Sequence, residues 1–182
     1  MKITIGGLPG SGTSTLARRL SRKFNLIVVS TGDTFRKLAA EHNMSLEEFG
    51  HLAEKDQDID KQLDKQQQKI AQQRNNIIFE GRLTGHFIED ATTRIWLKAP
   101  IEVRAARIAH RERLTTAQTI TEIRTREECE ASRYKNYYQL NINDLAIYDI
   151  ILDTARYTPE QTTRIISEAV QNHKQSTTPP WP

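Results

Sequence analysis

The stretch GLPGSGTST, from Gly7 to Thr15, decides the fold of this chain. It matches the phosphate-binding loop pattern G-x-x-x-x-G-K-[ST] at Gly7, Gly12 and Ser14. Thr13 stands where that pattern has lysine. The stretch therefore indicates a nucleotide site with one altered residue, or a glycine turn that only looks like one.

The sequence on either side of the loop favours the nucleotide site. Before it, the apolar run KITIG (Lys2 to Gly6) predicts a buried strand. After it, Leu16, Leu20 and Phe24 recur at helical spacing. Strand, glycine loop and helix are the order that a phosphate-binding loop requires. The residues predicted to bind ATP in the loop are Gly7, Leu8, Pro9, Gly10, Ser11, Gly12, Thr13, Ser14 and Thr15.

Short apolar runs alternate with helical patterns along the rest of the chain. Four further strands are predicted at Leu26–Ser30, Asn76–Gly81, Arg94–Ala99 and Tyr148–Asp153. This alternation predicts an α/β fold of three layers, in which a five-stranded parallel sheet carries helices on both faces. The predicted arrangement is one domain over 1–174, with a core of 1–36, 75–110 and 136–174, a helical insertion at about 37–74, a short lid at about 111–135 and a flexible tail at 175–182.

Several helix ends carry capping signals. Thr31 or Asp33 is predicted to cap the helix after the second strand. Ser45, followed by Glu48, forms a capping box, and Thr158 caps the closing helix. Residues 56–74 predict a surface helix that packs by one thin apolar edge, formed by Ile59, Leu63 and Ile70.

Composition narrows the class of protein. The 182 residues carry a net charge of +3, with 37% hydrophobic and 27% charged residues, which suits one globular domain. That surplus does not require nucleic acid, and it equally suits arginines that converge on an anionic substrate. Cys129 is the single cysteine, so a disulfide within the chain and a multi-thiolate zinc site are excluded. It is expected to have no special role, and the five histidines show no metal-ligand spacing.

No apolar run approaches the roughly 18 residues of a membrane span, and no signal peptide is visible. The expectation is a soluble cytoplasmic protein. It should act as a monomer on small nucleotides, without nucleic acid or membrane as partner.

The missing lysine raises a question of charge. Ser14 has the position whose hydroxyl binds Mg²⁺ in such loops, and Glu80, at a strand end, is predicted to bind Mg²⁺ through water. Removal of one charge-stabilising donor costs roughly 2.7–4 kcal/mol in other enzymes. Arginines from another segment are therefore expected to compensate for Thr13. The candidates are Arg107, Arg111, Arg113, Arg126 and Arg133, of which Arg111, Arg126 and Arg133 are predicted to be catalytic.

At this point the chain resembles the nucleoside monophosphate kinases. The segments that carry the resemblance are STGDTFR (30–36), FEGRLTG (79–85) and REECEASRY (126–134). The resemblance implies that Asp33, Arg36 and Arg82 bind the monophosphate, that Arg126 and Arg133 reach the transferring phosphoryl group, and that Thr154 lies near adenine. Arg36 and Arg82 also follow strand ends, where ligands bind in open α/β sheets.

Within that group the chain is similar to the archaeal-type cytidylate kinases over about residues 1 to 173. The motifs are MSLEEFG, DIDKQLD, FEGRL, IWLKAPIEVRAARIAHRE and IYDIILDT. The resemblance implies transfer of the γ-phosphoryl group of ATP, with Mg²⁺, to CMP or dCMP. The change from lysine to threonine departs from the general phosphate-loop pattern, although members of this family also have a threonine there.

Three further arginines and three aspartates lie on predicted helices. Arg104, Arg113 and Arg124 are expected on solvated helix faces. Asp56, Asp60 and Asp64 align on one helix face, and a carboxylate can accept a hydrogen bond from the cytosine amine. Asp60, or a neighbour, is therefore predicted to recognise the base.

Two alternatives stay open. The acceptor could be UMP or AMP, because only the base pocket separates these substrates. The chain could also be a nucleotide-binding protein that lost catalysis together with the lysine.

Overall fold

The computed structural model describes residues 1–175 as a single parallel sheet enclosed by helices. The strands are β1 (Lys2–Gly7), β2 (Ile27–Ser30), β3 (Ile77–Glu80), β4 (Thr93–Lys98) and β5 (Ile150–Asp153). The helices are α1 (Thr13–Phe24), α2 (Thr31–Glu41), α3 (Leu46–Lys55), α4 (Gln57–Gln73), α5 (Thr84–Phe87), α6 (Ile101–Glu112), α7 (Thr116–Tyr138) and α8 (Pro159–Gln175). A 3₁₀ turn, Thr154–Arg156, follows β5.

The sheet has the strand order β2-β3-β1-β4-β5, and every pair is parallel. β1, which leads into the glycine loop, is therefore the central strand. The carboxyl ends of all five strands meet at one edge, which is where open α/β sheets bind ligands.

Residues of the central strands alternate between two cores, as the two-residue period of a strand requires. Ile3, Ile5 and Ile78 face a core that α1 and α8 close from outside. Ile77 and Phe79 face the opposite side, where α4 packs through Ala71. Helices therefore cover both faces, and the predicted three-layer α/β fold is confirmed.

β2 differs from its prediction. It was expected to be buried from Leu26 to Ser30, but it begins at Ile27 and lies at the edge of the sheet. Ile27 is 50% exposed, whereas Leu26, just before the strand, packs in the core at 5%. Only the sheet order, which hydropathy does not reveal, distinguishes an edge strand from a central one.

The cap of α2 also differs. Neither Thr31 nor Asp33 caps the helix: the Ser30 hydroxyl accepts a hydrogen bond from the Asp33 amide. The capping box of Ser45 and Glu48 is confirmed. Thr158 caps α8 as predicted, since its hydroxyl accepts from the Gln161 amide at 3.2 Å.

The buried face of α4 is more polar than predicted. It consists of Asp60, Leu63, Gln67 and Ala71, not of a thin apolar edge. Two polar side chains therefore point into the molecule, and they need partners there.

Two connections complete the framework. The segment between β2 and β3 consists of α2, α3 and α4, which corresponds to the predicted insertion. Residues 113–115 join α6 to α7, within the predicted lid of about 111–135. The exact boundaries of insertion and lid stay predictions, and the predicted tail lies outside the described residues apart from Gln175, the last residue of α8.

In the part of the chain that the structure describes, no helix is long and apolar enough to span a membrane.

Candidate active site

The glycine loop lies between the carboxyl end of β1 and the first turn of α1. Gly10 and Gly12 have φ values of 82° and 101°, which favour glycine over residues with a side chain. A Cβ atom on Gly10 would lie 2.6 Å from the carbonyl oxygen of Arg104. The structure brings the predicted loop residues together in one turn at a helix N-terminus, where amide groups and the helix dipole attract anions.

Thr13, at the start of α1, is in direct contact with Glu80, at the end of β3. The Thr13 hydroxyl donates to Glu80 Oε1 at 2.6 Å, and the Ser14 hydroxyl donates to the same oxygen at 3.1 Å. Ser30, at the end of β2, donates to the other oxygen of Glu80. Glu80, only 7% exposed, therefore joins the phosphate loop to the start of α2. The two residues predicted to bind metal, Ser14 and Glu80, are neighbours in space.

Arg104 lies behind the loop, which corrects the expectation that it lies on a solvated face. It is 4% exposed, and its guanidinium donates to the carbonyl of Pro9 at 3.1 Å and to that of Ala99 at 3.0 Å. Glu127 of α7 pairs with it as an anion. Arg104 therefore braces the loop from behind, a role that helix periodicity alone does not distinguish from exposure.

Thr154 also lies behind the loop. Its hydroxyl donates to the carbonyl of Ser11 at 2.8 Å. Arg107 donates to both oxygen atoms of Thr154, at 2.9 and 2.8 Å. The turn after β5 is thereby fixed against the phosphate loop. Its predicted proximity to adenine stays a prediction.

Asp33 and Arg36 occupy the start of α2, next to the carboxyl end of β2. They form an ion pair at 2.5 Å, with side chains 75% and 50% exposed, respectively. A guanidinium that is half exposed at a strand end can exchange a carboxylate for a phosphate at small cost.

Arg82 is held rigidly beside the phosphate loop. Its Nε donates to Glu130 at 2.8 Å, and its Nη1 donates to the carbonyl of Gly7. Arg126 donates to the other oxygen of Glu130, also at 2.8 Å. Burial alone would raise the pKa of Glu130, but the two guanidinium groups lower it to about 2. The motif search missed Glu130, although its spacing of four from Arg126 was a signal for the pair.

A small polar cavity opens between α4 and the residues that follow β2 and β3. Its lining includes Thr31, Asp60, Asp64, Gln67 and Arg82. The Thr31 hydroxyl donates to Gln67 Oε1 at 3.0 Å, which leaves the amide group of Gln67 as a donor. The cavity therefore offers both hydrogen-bond donors and acceptors to a planar polar ligand.

The two aspartates of the cavity have different partners. Asp60 forms an ion pair with Arg133 at 3.2 Å, and burial raises its pKa while Arg133 opposes that rise. Asp64 accepts a hydrogen bond from the Tyr138 hydroxyl. Burial raises the pKa of Asp64 to about 7, although the hydrogen bond from Tyr138 opposes the rise.

The three arginines predicted to be catalytic have different environments. Arg111 is exposed near the end of α6, beside Glu112. Arg126 is about one third exposed and paired with Glu130. Arg133 is 4% exposed, and its guanidinium lies over the ring of Phe35 at 5.2 Å as well as against Asp60. In this conformation Arg133 reaches the polar cavity only through its ion pair with Asp60, which lines it.

A family model and several curated relatives all match this chain to cytidylate kinases. The model of the cytidylate kinase-like family matches residues 2–156. The cytidylate kinase of Methanocella arvoryzae is 44% identical over 97% of this chain and 100% of its own length. That of Methanothrix thermoacetophila is 50% identical over 94% of this chain and 98% of its own.

Solved structures show the fold at lower sequence identity. An uncharacterized protein from Eubacterium ventriosum superposes with a TM-score of 0.72 at 18% identity, and the match covers 94% of this chain and 98% of the other. Shikimate kinase from Acinetobacter baumannii superposes with a TM-score of 0.62 at 12% identity, over 96% and 95% of the two chains. The three-layer arrangement is thus shared with other kinases.

Proposed function

This chain belongs to the cytidylate kinase-like family, and from that premise we propose that it transfers the γ-phosphoryl group of ATP to CMP, giving ADP and CDP, with dCMP as a second acceptor. The observation that carries the proposal is a pair of adjacent sites at one edge of the sheet. The glycine loop, after β1, fits the ATP phosphates. The polar cavity with Arg82, after the neighbouring β3, has the donors and acceptors that a nucleoside monophosphate requires, and it must widen to admit one.

The donor site has the groups that ATP requires. The amides of the loop and the N-terminus of α1 face the phosphate site. Ser14 and Glu80 supply the hydroxyl and carboxylate oxygen atoms that Mg²⁺ prefers, so these residues fit the ion that accompanies ATP. When bound, Mg²⁺ neutralises charge on the β- and γ-phosphates.

Arginines bind the acceptor phosphate. The reaction needs no side-chain nucleophile. Arg82 and Arg36 bind the monophosphate through charge-assisted hydrogen bonds, and Arg36 exchanges its partner Asp33 for the phosphate. The phosphate oxygen of CMP attacks the γ-phosphorus in line, and the bond to the leaving oxygen of ADP breaks. Positioning and electrostatics supply most of the rate.

Thr13 leaves the loop without a cation of its own, so arginines of the α6–α7 hairpin supply the positive charge. Arg111 is exposed and forms an ion pair with the exposed Glu112; because a solvated pair is weak, Arg111 is available for the transferring group. Arg126 shares the carboxylate of Glu130 with Arg82, which lies beside the phosphate loop. A catalytic role for Arg133 requires that its ion pair with Asp60 opens.

The base lies in the polar cavity, and Asp64 and Gln67 recognise it. An ionised Asp64 accepts a hydrogen bond from the exocyclic amine of cytosine but repels the O4 oxygen of uracil. Asp60, the residue first predicted for this role, is already neutralised by Arg133. It therefore contributes by fixing the position of Arg133 and the wall of the cavity.

The test is ADP release from ATP and Mg²⁺, with CMP, dCMP, UMP and AMP in separate reactions. We expect rapid turnover on CMP and dCMP only. Turnover on AMP or UMP instead would assign another acceptor. Absence of turnover on all four would favour the alternative of a nucleotide-binding protein that lost catalysis with its lysine.

Base recognition is tested separately with Asp64→Asn. The ratio of kcat/KM for CMP over UMP should fall roughly 5- to 150-fold, equivalent to about 1–3 kcal/mol for one discriminating base contact. Because the pKa of Asp64 is about 7, the wild-type ratio should also rise as the pH increases through that value. Asp58→Asn, an exposed change on the same helix, should leave the ratio unaltered. An unaltered ratio in Asp64→Asn would contradict the assignment.

A further inference from the structure

A cluster of three different metal-ligating groups lies between α3 and α7. His51 and Glu54 occupy one face of α3, and Cys129 approaches from α7. His51 Nδ1 lies 2.9 Å from Glu54 Oε2. The ligand atoms of all three residues lie within 4.8 Å of one another.

Backbone contacts on both sides fix the two helices at this point. Arg133 donates to the carbonyl of Gly50 at 3.3 Å, and Tyr137 donates to that of Ala53 at 2.8 Å. A Cβ atom on Gly50 would lie 3.6 Å from the sulfur of Cys129. The helices therefore approach closely where the thiol lies, and its position does not depend on a flexible loop.

The donor set selects the kind of ion. Imidazole nitrogen, carboxylate oxygen and thiolate sulfur are the ligands of Zn²⁺, whereas Mg²⁺ and Ca²⁺ prefer oxygen alone. Zinc–ligand bonds of about 2.0–2.3 Å place tetrahedral ligand atoms about 3.5 Å apart. The side chain of His51 is 53% exposed and that of Glu54 is 30% exposed, so rotation can bring the three atoms to that spacing. The exposed side leaves a fourth position for water.

The charges around Cys129 determine whether a bound cation must remove a proton from its thiol. Burial raises the pKa of the Cys129 thiol to about 11, with Arg133 opposing the rise and Glu54 adding to it. The thiol is therefore protonated at neutral pH and unreactive without an ion. The charge of Arg133 is itself offset by Asp60 at 3.2 Å. A bound cation would displace the thiol proton into solvent.

We propose that His51, Glu54 and Cys129 form a binding site for a Zn²⁺-class cation that joins α3, in the insertion between β2 and β3, to the long helix α7. The ion gains three protein ligands from two helices, and one proton leaves Cys129. The bound ion stabilises the contact between insertion and hairpin.

The first test is a Co²⁺ titration of the full chain, freed of metal and without nucleotide. We expect one ion per chain, a thiolate-to-cobalt charge-transfer absorption and the visible bands of a tetrahedral site, all displaced by Zn²⁺. Zn²⁺ should also raise the thermal unfolding temperature. Absence of the charge-transfer absorption would overturn the proposal.

Variants locate the site. Cys129→Ser should abolish the charge-transfer absorption. His51→Gln, at an exposed position that does not endanger folding, should weaken Co²⁺ binding at least 10-fold. His110→Gln, a matched change of an exposed histidine on α6, should bind Co²⁺ as the wild type does. If His51→Gln and Cys129→Ser both bind like the wild type, the ion lies elsewhere and the proposal is wrong.

Discussion

The ion pairs of Glu130 give the sharpest quantitative prediction of this structure. Glu130→Gln removes the buried carboxylate and leaves Arg82 and Arg126 without their shared anion, while the shape of the side chain is nearly unchanged. Breaking a buried ion pair from one side typically costs about 3–5 kcal/mol. A pKa of about 2 in the fold, against 4.5 for the unperturbed carboxyl, gives a similar figure of about 3 kcal/mol at neutral pH.

The same pKa defines how the loss depends on pH. Since the folded-state pKa of Glu130 is lower than that of the unfolded chain, its contribution is complete above about pH 4.5. It declines as the pH falls through about 2. Somewhat less than half of it remains at pH 3.

Urea unfolding at several pH values provides the assay, with wild type and variant compared at each. The free energy of unfolding should differ by about 3 kcal/mol at pH 7, and the difference should shrink by about half at pH 3. Glu128→Gln, an exposed change on the same helix, should alter stability by less than about 0.5 kcal/mol. A loss below about 1 kcal/mol in Glu130→Gln, or a difference that does not change with pH, would refute the reasoning.

Two further predictions concern the phosphate loop. Thr13→Val keeps the side-chain shape but removes a hydrogen bond to the Glu80 carboxylate, so the free energy of unfolding should fall by about 1.5–3 kcal/mol; an unchanged urea midpoint would show that the bond is unimportant. Gly10→Ala places a Cβ atom 2.6 Å from the Arg104 carbonyl at a φ of 82°, so the KM for ATP should rise at least 10-fold; a KM equal to that of the wild type would contradict the strain.

The sequence predicts the parts of the fold that follow from local periodicity. The glycine loop lies between a strand and a helix, as its pattern requires. Ser45 and Thr158 cap their helices through hydrogen bonds from the backbone amide three residues later. These signals depend on neighbours in sequence, so no tertiary information is needed to read them.

The errors arise where a polar residue meets a partner that is distant in sequence. Arg104 has the spacing of an exposed helix residue, but the carbonyl of Pro9 and the carboxylate of Glu127 surround it. Residues 56–74 likewise predict a surface helix with a thin apolar edge, but α4 turns the polar side chains of Asp60 and Gln67 toward the cavity. Periodicity counts apolar residues, so it cannot detect a buried face built from polar groups that satisfy one another.

The cluster of His51, Glu54 and Cys129 shows the same limit for metal sites. The cysteine lies 75 residues from Glu54 along the chain, and no ligand spacing connects them. Only the close approach of α3 and α7 at Gly50 brings the three donors together.

The carboxylate of Glu80 limits which amino-acid substitutions the phosphate loop can accept in evolution. Thr13, Ser14 and Ser30 share this one acceptor, so their substitutions are coupled. A lysine at position 13 would bring its ammonium group against the nearly buried carboxylate of Glu80. The two groups would form an ion pair, so the ammonium group would not be free to bind a nucleotide. A single exchange of Thr13 for lysine should therefore not supply a cation to the nucleotide, and we expect the residues at positions 13 and 80 to change only as a pair.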